Sequence, residues 1–403
     1  MFAKRILDAR CRCQESNRRA VRRALVLVGD ALREVDAHVE AVVESVDMSR
    51  DARLAAHSAV STALALCSDL ELRDLVDAAE PMGSGIGGTS ALLDIGGTPV
   101  FVKRVPLSDL ERQPENVRST ANLFELPAFS HFGVGAIGAP GFGAWRELAV
   151  HTMTTNWVLA QDYEGFPLMY HSRVLPHPGQ SLPEELADVE KAVTYWGGGS
   201  EVRRRIEALR DSSASIALFL EYIPQSLHDW LGAQVKAGDE AAERACAMVV
   251  RQLQAGTSFM NARGLLHFDA HFQNILTDGE RLFFADYGLA ISSRFDLSKE
   301  EADFFAEHQT YDRCYSVTHL VIWLITALYG YKGEERNAFI RACAQAEHPK
   351  GIPPQVAAIL TQHAPLAAVM TDFYGKFQLE SRQIPYPMEE IGRIGGLGSS
   401  SIV

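Results

Sequence analysis

Apolar positions along the 403-residue chain change period twice, and each change predicts a different kind of element. Up to about Ala79, residues such as Ala24, Leu25, Val28, Leu32 and Val35 recur at steps of three and four. That stretch has no proline and one glycine, Gly29, which predicts two or three amphipathic helices. From Pro81 the pattern becomes β-like: residues 91–95 and 100–102 are short β-prone runs separated by Gly96-Gly97, the signature of a hairpin. Residues 145–151 read as a helix after a loop marked by Gly133, Gly135, Gly138, Gly141 and Gly143. Residues 152–215 are mixed, broken by four prolines and by Trp196-Gly197-Gly198-Gly199-Ser200, with helical runs on either side of that break. Residues 216–223 form a buried-strand run ended by Pro224, and a helix starts at Leu227. Residues 241–262 and 317–329 are predicted helices, the first with Met248, Val249, Leu253 and Phe259 facing inward, and helical character continues to about Asp372. The Gly- and Ser-rich end, residues 392–403, is expected to be a flexible tail.

Composition narrows the class without naming a function. Hydrophobic content of 47% and charged content of 22% are those of an ordinary globular chain, long enough for a sizeable core and more than one subdomain. The formal net charge of -13 argues against nonspecific binding to nucleic acid or to an anionic membrane. Six cysteines are scattered, with only Cys11 and Cys13 close together, which suggests reduced thiols and a cytoplasmic setting rather than a disulfide framework. No signal peptide is apparent, and no apolar run is long enough to span a bilayer. The first predicted helix carries Arg10, Arg12, Arg18, Arg19, Arg22 and Arg23, which reads either as a solvated face or as a surface for a partner.

The chemistry concentrates in residues 265–290. Asp269 and Asn274 are spaced D-x-x-x-x-N, and Asp286 follows in Asp-Tyr-Gly. Between them, residues 274–277 and 281–285 flank Asp278-Gly279-Glu280, a hairpin that would return Asp286 to the side of Asp269. An oxygen cluster at such a junction suits Mg²⁺, which takes hard oxygen ligands and shares its shell with substrate phosphates. Upstream, Gly83-x-Gly85-x-x-Gly88 is open to two readings. A dinucleotide-binding fingerprint would lead into a helix, whereas these glycines lead into a hairpin that ends at Lys103.

His267-Phe268-Asp269 through Asn274, followed by Asp286-Tyr287-Gly288, resembles the catalytic and metal-binding loops of the protein-kinase-like superfamily, which includes protein kinases and the aminoglycoside and choline phosphotransferases. The resemblance implies Asp269 as the base, Asn274 and Asp286 as holders of Mg²⁺, and His267 as support for the loop. It implies a phosphate lid made by Gly83, Gly85 and Gly88, with Lys103 on the ATP phosphates and a helix glutamate paired to that lysine. Glu111 and Glu115 follow Lys103 too closely for a strand-to-helix return, so Glu147 is the expected partner. Main-chain groups of Glu221 and Ile223 are the expected adenine contacts. Phe101 stands where a small residue is usual, which makes the expected adenine roof bulkier. Asp312 is a candidate for the aspartate that holds the catalytic-loop backbone.

These readings combine into an α+β, two-lobed protein-kinase-like fold, as an atypical, bacterial-type member. The expected division is an N-terminal helical extension over 1–80, a β-rich N-lobe with insertions over 81–220, a mainly helical C-lobe over 221–391 and the tail over 392–403. The expected activity is ATP- and Mg²⁺-dependent transfer of the γ-phosphoryl group to a hydroxyl. His271, two residues after Asp269, and the lack of an Ala-Pro-Glu element after Gly288 tilt the acceptor towards a small molecule. An atypical Ser/Thr protein kinase is the alternative, and a pseudokinase scaffold that engages a partner through its N-terminal helices is the third reading. Nucleic acid and membrane are not expected partners.

Overall fold

The computed structural model describes residues 47–176 and 182–394, and the arginines at 10–23 with Cys11 and Cys13 lie outside them. Residues 1–53 separate as a unit from residues 54–403, and the second unit is described below. Its architecture is mixed α+β, with helical residues ahead of the first strand.

Helices α1 (Arg50–Ala65) and α2 (Asp69–Asp77) come first. A capping box fixes the start of α2: Ser68 Oγ accepts from Glu71 N, and the Glu71 carboxylate accepts from Ser68 N. Strands β1 (Glu80–Gly85), β2 (Gly88–Ile95), β3 (Thr98–Leu107), β4 (Met169–Pro176) and β5 (Ala214–Glu221) form one antiparallel sheet in the order β1-β2-β3-β5-β4. The β2–β3 turn is set chemically. Gly96 and Gly97 adopt φ of +64° and +86°, as a two-residue hairpin loop demands, and Asp94 Oδ1 accepts from Gly97 N at 3.0 Å. Strand β5, Ala-Ser-Ile-Ala-Leu-Phe-Leu-Glu, is buried along its whole length, because β3 and β4 pair with both its edges.

Between β3 and helix α3 (Ala144–Leu159) lie 36 residues that contain only short 3₁₀ turns, including Ala128–His131. After β4 come α4 (Val189–Tyr195) and α5 (Ser200–Arg210), on the two sides of the Gly197-Gly198-Gly199 break. Past β5, the chain forms β6 (Gln225–Ser226), α6 (Leu227–Ala237) and α7 (Asp239–Ala262). Short strands β7 (Leu265–Leu266), β8 (Ile275–Thr277), β9 (Leu282–Phe284) and β10 (Ile291–Ser292) follow. Strand β7 pairs with β10, and β8 lies between β6 and β9. Helices α8 (Lys299–Glu307), α9 (Tyr311–Tyr329), α10 (Gly333–Ala344), α11 (Pro354–Leu379) and α12 (Met388–Arg393) complete the described chain.

Two boundaries depart from the sequence expectation. Helix α9 begins at Tyr311, six residues before the apolar run, because Tyr311, Asp312, Cys314 and Tyr315 are themselves buried against the core. Helix α12 includes Gly392 and Arg393, since Ile391 is buried and its backbone amide donates to Pro387 O at 3.0 Å. Among the described residues, no single helix is long and apolar enough to cross a membrane.

The sheet's stability rests on its central strand. Phe219→Ala, at a fully buried position, is expected to lower the unfolding free energy by about 3–5 kcal/mol. Val174→Ala on β4, where the side chain is 40% exposed, should change it by less than about 0.5 kcal/mol. Urea unfolding of the two variants measures the difference.

Candidate functional site

The loop after β7 is held from below by one buried side chain. Asp312, in the first turn of α9, accepts from His267 N at 2.6 Å and from Phe268 N at 2.8 Å. These bonds hold Phe268 at φ +64°, a left-handed conformation that a bulky residue adopts only when its surroundings impose it. Burial pushes the Asp312 carboxyl up to about 6, against the two amide hydrogen bonds. The next side chain, Asp269, lines the cavity described below.

His267 has a defined tautomer in this arrangement. Its Nε2 lies 3.0 Å from Ala285 O, a pure acceptor, so Nε2 carries the hydrogen and Nδ1 accepts from Asp269 N at 3.3 Å. Burial lowers its pKa to about 4, which keeps the ring neutral. The bond to Ala285 O ties the Asp269 loop to the residue before Asp286.

Asn274 spends both amide hydrogens on Asp269, one on the backbone oxygen and one on Oδ2, each at 3.0 Å. Its backbone oxygen accepts from Ala285 N at 3.0 Å, and among the described residues nothing donates to its side-chain Oδ1. The hairpin of β8 and β9 returns Asp286 beside it, with Ile275 opposite Phe284. Asp286 also adopts a left-handed φ, +62°. Its Oδ1 receives the Lys103 ammonium at 2.9 Å, while among the described residues nothing donates to Oδ2. Burial opposes ionisation of Asp286, but Lys103 outweighs it and brings the carboxyl down to about 2. For Asp269 the balance is reversed: burial, then the nearby Asp286 charge, push its carboxyl well above the ordinary range.

Lys103 projects from β3 and makes a second ion pair, 2.7 Å to Glu147 Oε1 in the first turn of α3. The long segment between β3 and α3 does not prevent this pairing, because Glu111 near its start holds the first amide of α3 at its end. The Glu111 carboxylate accepts from Ser108 N at 2.9 Å and from Ala144 N, the first amide of α3, at 2.7 Å. Glu111 is therefore committed at the start of that helix, and Glu115 is exposed.

The glycines divide by role. Gly88 adopts φ +116°, and a Cβ there would lie 1.9 Å from Arg104 O, so no other residue fits. A side chain at Gly83 or Gly85 would meet no close backbone. Gly87, in the turn between β1 and β2, was not among the sequence candidates, yet a Cβ there would come within 2.9 Å of Lys103 Nζ. Only its closeness to Lys103 in space marks it.

A cavity of about 330 Å³ is lined among others by Gly85, Gly87, Glu147, Asp269, His271, Asn274 and Asp286. His271 Nε2 is 3.9 Å from Asp269 Oδ1. Glu221 and Ile223 are not part of this lining. Glu221 N donates to Leu168 O at 2.7 Å and its carboxylate accepts from Leu168 N at 3.0 Å, so its amide is committed within the fold. A larger groove, about 1280 Å³, opens between α8, α11 and residues 382–393 and contains none of these groups. Among the described residues there is no cluster of three or more His, Cys, Asp and Glu able to hold a metal.

No family model matches the chain. A protein described as mitogen-activated protein kinase kinase kinase mkh1, from Cytospora mali, is 27% identical over 124 residues. The match covers 31% of this chain and only 6% of that protein. This weak, partial homology hints at distant membership in the protein-kinase-like superfamily and at phosphotransfer-type activity in general; it carries no bacterial subtype.

Two outcomes follow from these contacts. Asp312→Ala, which strips two buried amides of their acceptor, should cost roughly 3 kcal/mol in urea unfolding, and Asp312→Asn, which keeps one acceptor, markedly less. Burial holds His151 and His319 down at about 3, and His267 and His308 at about 4, below the ordinary value of 6.5. The unfolded chain therefore binds more protons: this contribution is complete above about pH 6.5 and is lost as pH falls towards 3 to 4. The urea midpoint should fall across that window with proton uptake on unfolding, and a flat midpoint would contradict it.

Proposed function

We propose that the chain is an ATP- and Mg²⁺-dependent phosphotransferase with a two-lobed protein-kinase-like fold, which transfers the γ-phosphoryl group to a hydroxyl acceptor. The observation that carries this reading is the junction itself. One ammonium, Lys103, bridges Glu147 and Asp286, while Asp269 stands beside them hydrogen-bonded to Asn274. On this reading the division into helical extension, β-rich N-lobe, helical C-lobe and tail follows the sequence boundaries.

The residues fit a magnesium ion by the chemistry of their free atoms. Among the described residues nothing donates to Asp286 Oδ2 or to the side-chain oxygen Oδ1 of Asn274, and Mg²⁺ takes one or two such oxygens while keeping waters and taking phosphate oxygens. When bound, the ion neutralises charge on the transferring phosphoryl group. The chain's own groups do the rest. Glu147 holds Lys103 where its ammonium meets the α- and β-phosphates, and the β1–β2 turn at Gly85–Gly88 lets backbone approach them without side chains in the way. Asp269 accepts the acceptor's proton as its oxygen bonds to the γ-phosphorus and the bond to the bridging oxygen of ADP breaks. The raised carboxyl of Asp269 suits a group that must take that proton. His267 and Asp312 act as positioning residues, through the backbone on either side of Phe268.

The roles separate in mutants. Asp286→Ala should abolish Mg²⁺-dependent ATP binding measured by calorimetry. Asp269→Ala should bind ATP normally but transfer label from γ-labelled ATP about 10²–10⁴-fold more slowly. Unchanged transfer by Asp269→Ala would remove the mechanism, and ATP binding with no transfer by the unmutated chain would favour a scaffold.

A further inference from the structure

We propose that residues 128–143 form a fixed wall on the acceptor side of the cleft, with Gly133 setting its clearance over Asp269, so that the acceptor is a small hydroxyl compound rather than a polypeptide side chain. The acceptor part of this inference rests on the phosphotransferase reading; the wall itself does not.

The clearance is a close approach of backbone to carboxylate. A Cβ on Gly133 would lie 2.1 Å from Asp269 Oδ1 and 2.8 Å from its Cγ. Gly133 is not among the residues with positive φ, so its glycine is explained by that approach and not by conformation.

Anchors run along the whole segment. Phe132 is 3% exposed, and its ring centroid lies 5.2–5.7 Å from those of Phe268, Phe304, His308, Tyr311, Phe373 and Phe377. His131, buried and stacked 3.7 Å from Phe142, places Nδ1 2.8 Å from Leu289 O, just past the Asp286 loop. Ala136 N donates to Tyr195 Oη at 3.1 Å, and Trp196 Nε1 donates to Gly138 O at 3.1 Å. Arg205 Nε donates to Gly141 O at 3.0 Å, and the same guanidinium faces Glu111 at 3.4 Å, both side chains being buried. Lifting the segment as a lid would expose Phe132, His131 and Phe142 together and break hydrogen bonds to α4 and α5. A segment that opens readily has few buried contacts, and this one has many.

What the wall leaves open is narrow. One Asp269 oxygen is taken by Asn274 and the other faces Gly133, so the side chain is only 20% exposed. Its approach is the cavity of about 330 Å³, which the terminal phosphates must share. That is near the lower end of small-molecule sites. A polypeptide serine or threonine would have to bring its own backbone close to Asp269, beside the backbone of Gly133 that already lies against that carboxylate.

Hydrogen exchange on the full chain without nucleotide tests the wall. The amides of Phe132, Ala136, Phe142 and Ala144 should be protected to a degree similar to those of β5; exchange at unprotected rates would make the segment a lid and overturn the wall whatever the chemistry. Incubation with Mg²⁺ and γ-labelled ATP tests the acceptor, using the low-molecular-mass filtrate of a cell extract against casein and myelin basic protein. Label in the filtrate alone supports the proposal, and label in either protein overturns it while leaving the phosphotransferase reading intact. No ATP binding and no label anywhere overturns that reading, and with it the acceptor assignment. Gly133→Ala should lower transfer to the filtrate by about a hundredfold through displacement of Asp269, with ATP affinity unchanged. Unaltered transfer in a variant whose exchange pattern is preserved would also overturn the role given to Gly133.

Discussion

The acceptance of two backbone amides by the buried carboxylate of Asp312 is the constraint on which the site depends. It sets the left-handed turn at Phe268, and that turn sends two neighbouring side chains in opposite directions. Asp269 faces the cleft. The Phe268 ring faces the core, stacked 4.6 Å from Tyr311 on the same helix that supplies Asp312. A loop conformation costly by itself is thus stabilised by a charge-assisted pair of hydrogen bonds below and by ring packing behind.

The same aromatic group reaches the far side of the cleft. Phe132 packs against Phe268 and Tyr311, so the segment between β3 and α3 is anchored to the element that positions Asp269. Two buried ion pairs hold the ends of that segment. Arg146 meets Glu301 at 2.7 Å and also donates to Thr120 O, while Arg205 meets Glu111, whose carboxylate holds the first amide of α3. Pairs this deep add little net stability over apolar packing, but leaving one member alone is costly, so they specify one arrangement. The consequence is a rigid path from β3, through the wall, to α3 and Glu147.

Sequence reasoning reached the parts of this site that are written in local chemistry. The Asp278-Gly279-Glu280 turn between apolar runs announces the β8–β9 hairpin, and Gly96-Gly97 announces the hairpin that ends at Lys103. The family resemblance asks for a helix glutamate beside Lys103, and among the candidates Glu147 remains because Glu111 and Glu115 lie too near β3 to return on a helix; the ion pair Lys103–Glu147 is present. Asp312 is named by the resemblance, while the apolar periodicity starts only at Val317, because buried Tyr311 and Tyr315 carry polar hydroxyls that dilute the hydrophobic signal. The expected contacts of Glu221 and Ile223, implied by the same resemblance, depend on main-chain groups that spacing does not place. The Glu221 amide proves committed to Leu168, a pairing between distant segments that spacing cannot reveal.

What the amino-acid sequence determined by itself was therefore a set of ionisable and polar groups and the turns that carry them: Lys103, Asp269, Asn274 and Asp286 on strands and hairpins whose periods and glycines are local properties. What only the tertiary structure decided was the clearance around those groups. Gly87 against Lys103 and Gly133 against Asp269 look like any other loop glycines in the chain, and the wall that carries Gly133 lacks the periodicity that predicts an element. Its position comes from Phe132, Trp196, Arg205 and Glu111 meeting across large sequence separations, and such meetings depend on packing geometry, which no window of neighbouring residues contains.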